Sequence, residues 1–139
     1  MKKLAVIALL SLGTLAALAQ SPRTPAPQGA ELYIIAPADN ATVTGPVTVR
    51  FGLKGMGVAP AGIQLPDTGH HHLLVDADLP PLDKPIPADA NHVHFGKGQT
   101  ETTLTLAPGK HTLQLILGDH LHIPHQPAVV SQKITITVK

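Results

Sequence analysis

Histidine is the residue whose number and spacing in this chain point to a chemistry. All nine lie between positions 70 and 125, and eight fall in three knots. The knots are Gly69-His70-His71-His72, Asn91-His92-Val93-His94-Phe95-Gly96, and Leu117-Gly118-Asp119-His120-Leu121-His122-Ile123-Pro124-His125. A neutral imidazole nitrogen is a good donor to zinc, copper and nickel. The candidate ligands are therefore His70, His71, His72, His92, His94, His120, His122 and His125, for a copper or zinc ion. If extended, the pairs His92/His94 and His120/His122 each place two rings on one side of the chain, where they could chelate one ion. Tetragonal nitrogens favour Cu(II) and tetrahedral ones favour Zn(II), and the sequence leaves that choice open. Met56 is weighed as a thioether for Cu(I) and read instead as packing. His111 reads as an ordinary strand residue.

Other chemistries fit poorly. The chain has no Cys. The Ser residues beyond the leader, Ser21 and Ser131, stand in no elbow motif. Gly96-Lys97-Gly98 lacks the spacing and following helix of a phosphate loop. Asp76, Asp78, Asp83 and Asp89 lack the spacing of a calcium loop. Asp119 and Asp76 could instead accept from the rings of His120 and His72 and orient them. No enzyme is expected. A net charge of +1 argues against a nucleic-acid partner, and the absence of Trp against a stacking platform.

The amino end sets the compartment. Met1-Lys2-Lys3 is basic, residues 4–18 are apolar, and Ala17-Leu18-Ala19 is a small-x-small cleavage site. Residues 1–19 read as a signal peptide, too short to span a bilayer comfortably. The expectation is a periplasmic or secreted protein with no stable membrane insertion. Residues 20–30, with Pro22, Pro25 and Pro27, read as a linker, and residues 31–139 as one domain.

From Glu31 on, the patterning is that of strands. Val47, Val49, Phe51 and Leu53 alternate with polar or small residues, as do Leu113, Leu115 and Leu117, and Ile134, Ile136 and Val138. Residues 32–35, 71–75 and 100–106 add further strands, and 76–90 is a Pro-rich loop. About seven short strands predict an all-β, immunoglobulin-like β-sandwich, with a small β-barrel as the alternative. In the sandwich order, all three knots arrive at one end and His111 at the other. Parity puts His71 on the face of Leu73 and Val75, toward the interior, and turns His70 and His72 the other way.

The segments Gly69-His70-His71-His72-Leu73-Leu74-Val75-Asp76, His94-Phe95-Gly96-Lys97-Gly98-Gln99-Thr100-Glu101, Pro108-Gly109-Lys110-His111-Thr112-Leu113-Gln114-Leu115 and the third knot resemble a bacterial exported family known as a domain of unknown function. That resemblance runs from about Glu31 to the C-terminus. It implies a small secreted β domain and brings no activity or ligand. His92-Val93-His94-Phe95-Gly96 is also similar to the His-Val-His segment of copper-zinc superoxide dismutases. The disulfide of that family is impossible here, and dismutase activity is not expected. Copper-resistance sandwiches often begin on a histidine; the expected mature start here is Gln20.

The leading expectation is thus an exported histidine-rich metal-binding domain for storage, delivery or tolerance, with copper preferred. Its affinity should fall below about pH 6 as protons compete for imidazole. The alternative is a non-catalytic cell-envelope interaction module whose histidines are structural.

Overall fold

The computed structural model describes residues 22–139; the expected signal peptide lies outside them. Nine strands follow in order: β1 (Glu31–Ala36), β2 (Thr42–Val43), β3 (Val47–Lys54), β4 (Gly57–Val58), β5 (Thr68–Val75), β6 (His92–His94), β7 (Glu101–Leu104), β8 (Gly109–Gly118) and β9 (Ile134–Val138). There is no helix among the described residues.

Alternation explains the smaller sheet. Val47, Val49 and Phe51 of β3 are buried while Thr48 and Arg50 face water. β3 pairs antiparallel with β1 on one side and β7 on the other. The larger sheet runs β2-β9-β8-β5-β4, and β6 also pairs with β5. Neither sheet closes on itself, so the molecule is an immunoglobulin-like β-sandwich and not a barrel. Leu32, Val49 and Phe51 from one sheet meet Leu73, Val75, Leu113, Leu115, Leu117 and Ile136 from the other. Each such side chain contributes about 1.5–3 kcal/mol on full burial. With no Cys in the chain, this packing carries the fold.

The outer face of the larger sheet is covered as well. Leu74 and Ile116 form a second apolar cluster with Ile86, which comes from the long Pro-rich loop after β5. Every residue of β5 from Gly69 to Val75 is consequently buried, His70, His71 and His72 included.

Three expectations need correcting. The strand expected at 71–75 starts at Thr68, because β8 pairs as far as Gly118 opposite His70 and β4 pairs Thr68 and Gly69. The final strand is shorter than 129–138: Val130 makes only an isolated bridge to Ile116. Residues 22–30, expected as a linker, lie against the domain. The amide of Ala26 donates to the carbonyl of Gln126, the amide of Gln126 donates to that of Thr24, and the Arg23 guanidinium bonds Pro124, His125 and Gln126. A Pro-rich segment lacks donors for a helix but retains carbonyls that a neighbouring loop can use. No helix of the described residues is long and apolar enough to cross a membrane.

Candidate metal centre

β5 sets the first two rings. Residues two apart on a strand share a face, so His70 and His72 project from the outer side of the larger sheet while His71 points inward. His71 packs on Phe51, ring centres 5.1 Å apart. β6 lies alongside with His94 opposite His72, which brings the His94 ring over the same surface. The fourth ring arrives from the loop after β8. Asp119 builds a tight turn there: one carboxylate oxygen accepts the amides of Leu121 and Ile123, and the other accepts the Thr24 hydroxyl. His122 sits in this turn at φ +67°. A non-glycine residue in that left-handed region costs about 1 kcal/mol or more and is found where the surroundings enforce it. The result is to return the His122 ring to the sheet.

These four imidazoles form one cluster. Their six pairwise ring-centre separations run from 4.8 to 6.0 Å, the longest being His72 to His122. One ligand nitrogen from each of His70, His94 and His122 lies within 4.8 Å of the other two. The Nε2 atoms of His70 and His72 are 3.0 Å apart. Nitrogens that share a tetrahedral ion through bonds of about 2.0–2.1 Å stand about 3.3 Å from one another. At its widest the triad therefore has to close by up to about 1.5 Å to hold an ion, and His72 Nε2 already stands near ligand spacing from His70.

Burial keeps the cluster basic in the Lewis sense. It pushes the His70 imidazole down to about 4, helped by the charges of His122 and His94 and opposed by Asp119. It pushes His72 to about 2, with His70, His94 and His122 adding to the effect. His94 is lowered too, first by burial and then by His122. Rings held neutral offer lone pairs rather than protons at neutral pH. His94 Nε2, on one of the triad's rings, is buried with no protein partner. Orphaned buried polar atoms are rare in folded proteins and fit a site built for a further ligand.

Two glycines make the room. A Cβ on Gly118, which lies opposite His70 on β8, would stand 3.0 Å from His72 Nε2 and 3.3 Å from the His122 Cα. A Cβ on Gly96 would stand 2.5 Å from the His94 ring. Neither glycine was singled out from the sequence; only the register of β5 on β8 shows what Gly118 faces.

The remaining candidates go elsewhere. His71 is buried in the main core, where burial pushes it down to about 4. His92 shares a face with His94 but bonds Asp89 at 2.8 Å. His125 is fully buried with Nε2 on the Thr68 carbonyl. His120 and His122 are not extended: they lie in the Asp119 turn, and His120 lines a separate groove with Ile63, Leu65 and Thr24. The orienting roles weighed for two carboxylates also change. Asp119 holds backbone amides, and Asp76 bonds His111 at 2.7 Å and the Thr112 amide. Met56 packs against the core. The three knots do converge on one end of the sandwich, where the Ala61 and Gly62 amides bond the Gly96 and His120 carbonyls. The ring cluster itself sits on the outer face of the sheet beside that end.

A family model described as "Domain of unknown function (DUF4399)" matches residues 49–139. The chain belongs to the DUF4399 family. The matched span starts inside β3 and takes in all four clustered histidines of this DUF4399 chain. No curated protein matches it in sequence. Among solved structures it is similar to the fibronectin(III)-like modules of CbhA from Clostridium thermocellum, at 13% identity and a TM-score of 0.39, covering 77% of this chain and 92% of that one.

Proposed function

We propose that this is an exported metal-binding domain that takes one copper ion on His70, His94 and His122, with His72 as fourth donor, for storage, delivery or tolerance of the metal. One observation carries the reading: three nitrogens from β5, β6 and the β8–β9 loop, far apart in sequence, lie within 4.8 Å of one another. The basic, apolar, small-x-small start of the chain supports export to the periplasm or beyond. Among the described residues, the group of close-set metal-ligand atoms at this site is made of histidines alone, which favours a carrier over an enzyme.

Isothermal titration of the purified chain with Cu(II), Zn(II) and Ni(II) tests the reading. It expects a single site tighter than micromolar, about 8 kcal/mol, that is lost on replacing His70, His94 and His122 together by Ala. Failure of every ion to bind at that level would sink it. A second reading, a non-catalytic envelope interaction module, draws on His92, His111 and His125, each of which has a structural hydrogen bond. It expects a melting temperature indifferent to metal and chelator.

A further inference from the structure

Resting on the metal reading above, we infer that the site selects monovalent copper, Cu(I), over Cu(II) and Zn(II).

The arrangement of the rings bears on geometry first. Four donors at the corners of a square have two diagonals about 1.4 times the edges, the tetragonal pattern that Cu(II) prefers. Here five of the six ring separations fall between 4.8 and 5.1 Å and one is 6.0 Å. That is the pattern of a distorted tetrahedron. Three of the rings stand on paired strands, whose backbone hydrogen bonds fix where those side chains start. Tetrahedral nitrogen suits Cu(I) or Zn(II) and penalises Cu(II).

Charge then separates Cu(I) from Zn(II). Every donor is an imidazole; the set contains no thiolate and no carboxylate. A dication held by neutral donors brings its full charge into a buried place, where an uncompensated charge is costly. The buried carboxylate near the cluster is Asp119, whose oxygens already accept the Thr24 hydroxyl and two amides. Its single negative charge balances a monocation and leaves a dication in excess. Asp76 and Asp89 are committed to His111 and His92.

The surroundings of the rings point the same way. Metal-ligating histidines almost always donate their second ring nitrogen to a carboxylate, carbonyl or water, which raises ligand basicity. The second nitrogen of His72, Nδ1, is buried with no protein partner. A metal on the far nitrogen polarises that N–H in proportion to the ion's charge. Leaving it unbonded therefore disfavours a dication more than a monocation. Met56 packs against the core, so the donor set is imidazole alone.

The test is a displacement. The purified chain is loaded with one equivalent of Zn(II) and titrated anaerobically with Cu(I) delivered from a chromophoric chelator, and released zinc is read with an indicator dye. A parallel arm uses Cu(II) in air. The expected result is stoichiometric release of zinc by Cu(I), with an affinity at least about tenfold higher than for either dication, or about 1.4 kcal/mol. Zinc or Cu(II) bound as tightly as Cu(I) overturns the inference and leaves the metal reading standing. A chain that binds none of the three ions overturns both.

Discussion

The Nε2 atoms of His70 and His72 lie 3.0 Å apart on the outer face of a strand that is buried on both sides. Two side-by-side imidazoles in such a place can share one proton between them, but the cluster as a whole cannot accept many. That restraint underlies the expected behaviour of the site.

Metal should stabilise the fold, and His122 should be needed for it. A ligand at a hundredfold excess over its dissociation constant adds about 2.7 kcal/mol. A thermal melt with Cu(I), then with chelator, measures the shift. His122→Ala, on a turn rather than in the ladder, should retain the fold and lose most of the shift. His120→Ala, which removes a ring outside the cluster, should keep it. Equal shifts in both variants would count against the ligand assignment.

Gly118→Ala should separate binding from folding. Its Cβ would crowd His72 Nε2 and the His122 backbone within about 3.0–3.3 Å. The small volume added costs about 1–3 kcal/mol where neighbours cannot give, and the neighbours here are the ligands. Metal affinity should drop by tenfold or more, about 1.4 kcal/mol, as read by titration. Unchanged affinity would show that the rings have slack there.

Acid should destabilise the metal-free protein. His70 and His71 are lowered to about 4 and His72 to about 2, against an ordinary value of 6.5. Between those values the unfolded chain binds more protons than the folded one, so stability falls as pH drops. It is greatest above 6.5 and is lost as pH falls through the folded-state values. His111 runs the other way: its bond to Asp76 raises it, so its contribution is present below 6.5 and lost as pH rises through the raised value. Urea unfolding at pH 7, 6, 5 and 4 should show the decline. It should steepen below pH 6 and shrink in a His72→Phe variant; a flat profile would refute it. Protons should also compete with bound metal lower than the pH of about 6 expected from free imidazole.

Asp119→Ala should damage the turn before it damages the sheet. It strips acceptors from two amides and the Thr24 hydroxyl inside a nearly closed environment. Such a loss costs about 1–3 kcal/mol per unsatisfied group. Hydrogen exchange should rise at Leu121 and Ile123 while the amides of β8 stay protected. Thr24→Ala should show a weaker version of the same pattern. Protection unchanged at Leu121 and Ile123 would mean that the turn stands without the carboxylate.

Much of this arrangement was legible in the residues alone. Period-two alternation at Val47, Val49 and Phe51 and at Leu113, Leu115 and Leu117 marked the strands. The same parity placed His71 inward and turned His70 and His72 away. The order of strands brought the knots to one end. The choice among the eight candidates was not legible, because it depends on contacts distant in sequence. Nothing near Asp119 indicates that Thr24 will cap it, and nothing near His122 indicates a left-handed turn. His92 and His94 are equivalent by parity, but Asp89 takes one of them. Gly118 becomes meaningful only once His70 is known to lie across from it.

The pinned amino-terminal arm has a practical consequence. Thr24 and Arg23 bond the Asp119 turn and the residues around His125, whereas the carboxyl end leaves from β9, where Val138 pairs with Gly109 at the far pole of β8. A fusion partner, dye or surface tether attached ahead of Pro22 would pull on the segment that carries His122. The same attachment beyond Lys139 would leave it undisturbed, so immobilised copies for biosensor work should be anchored by their tail.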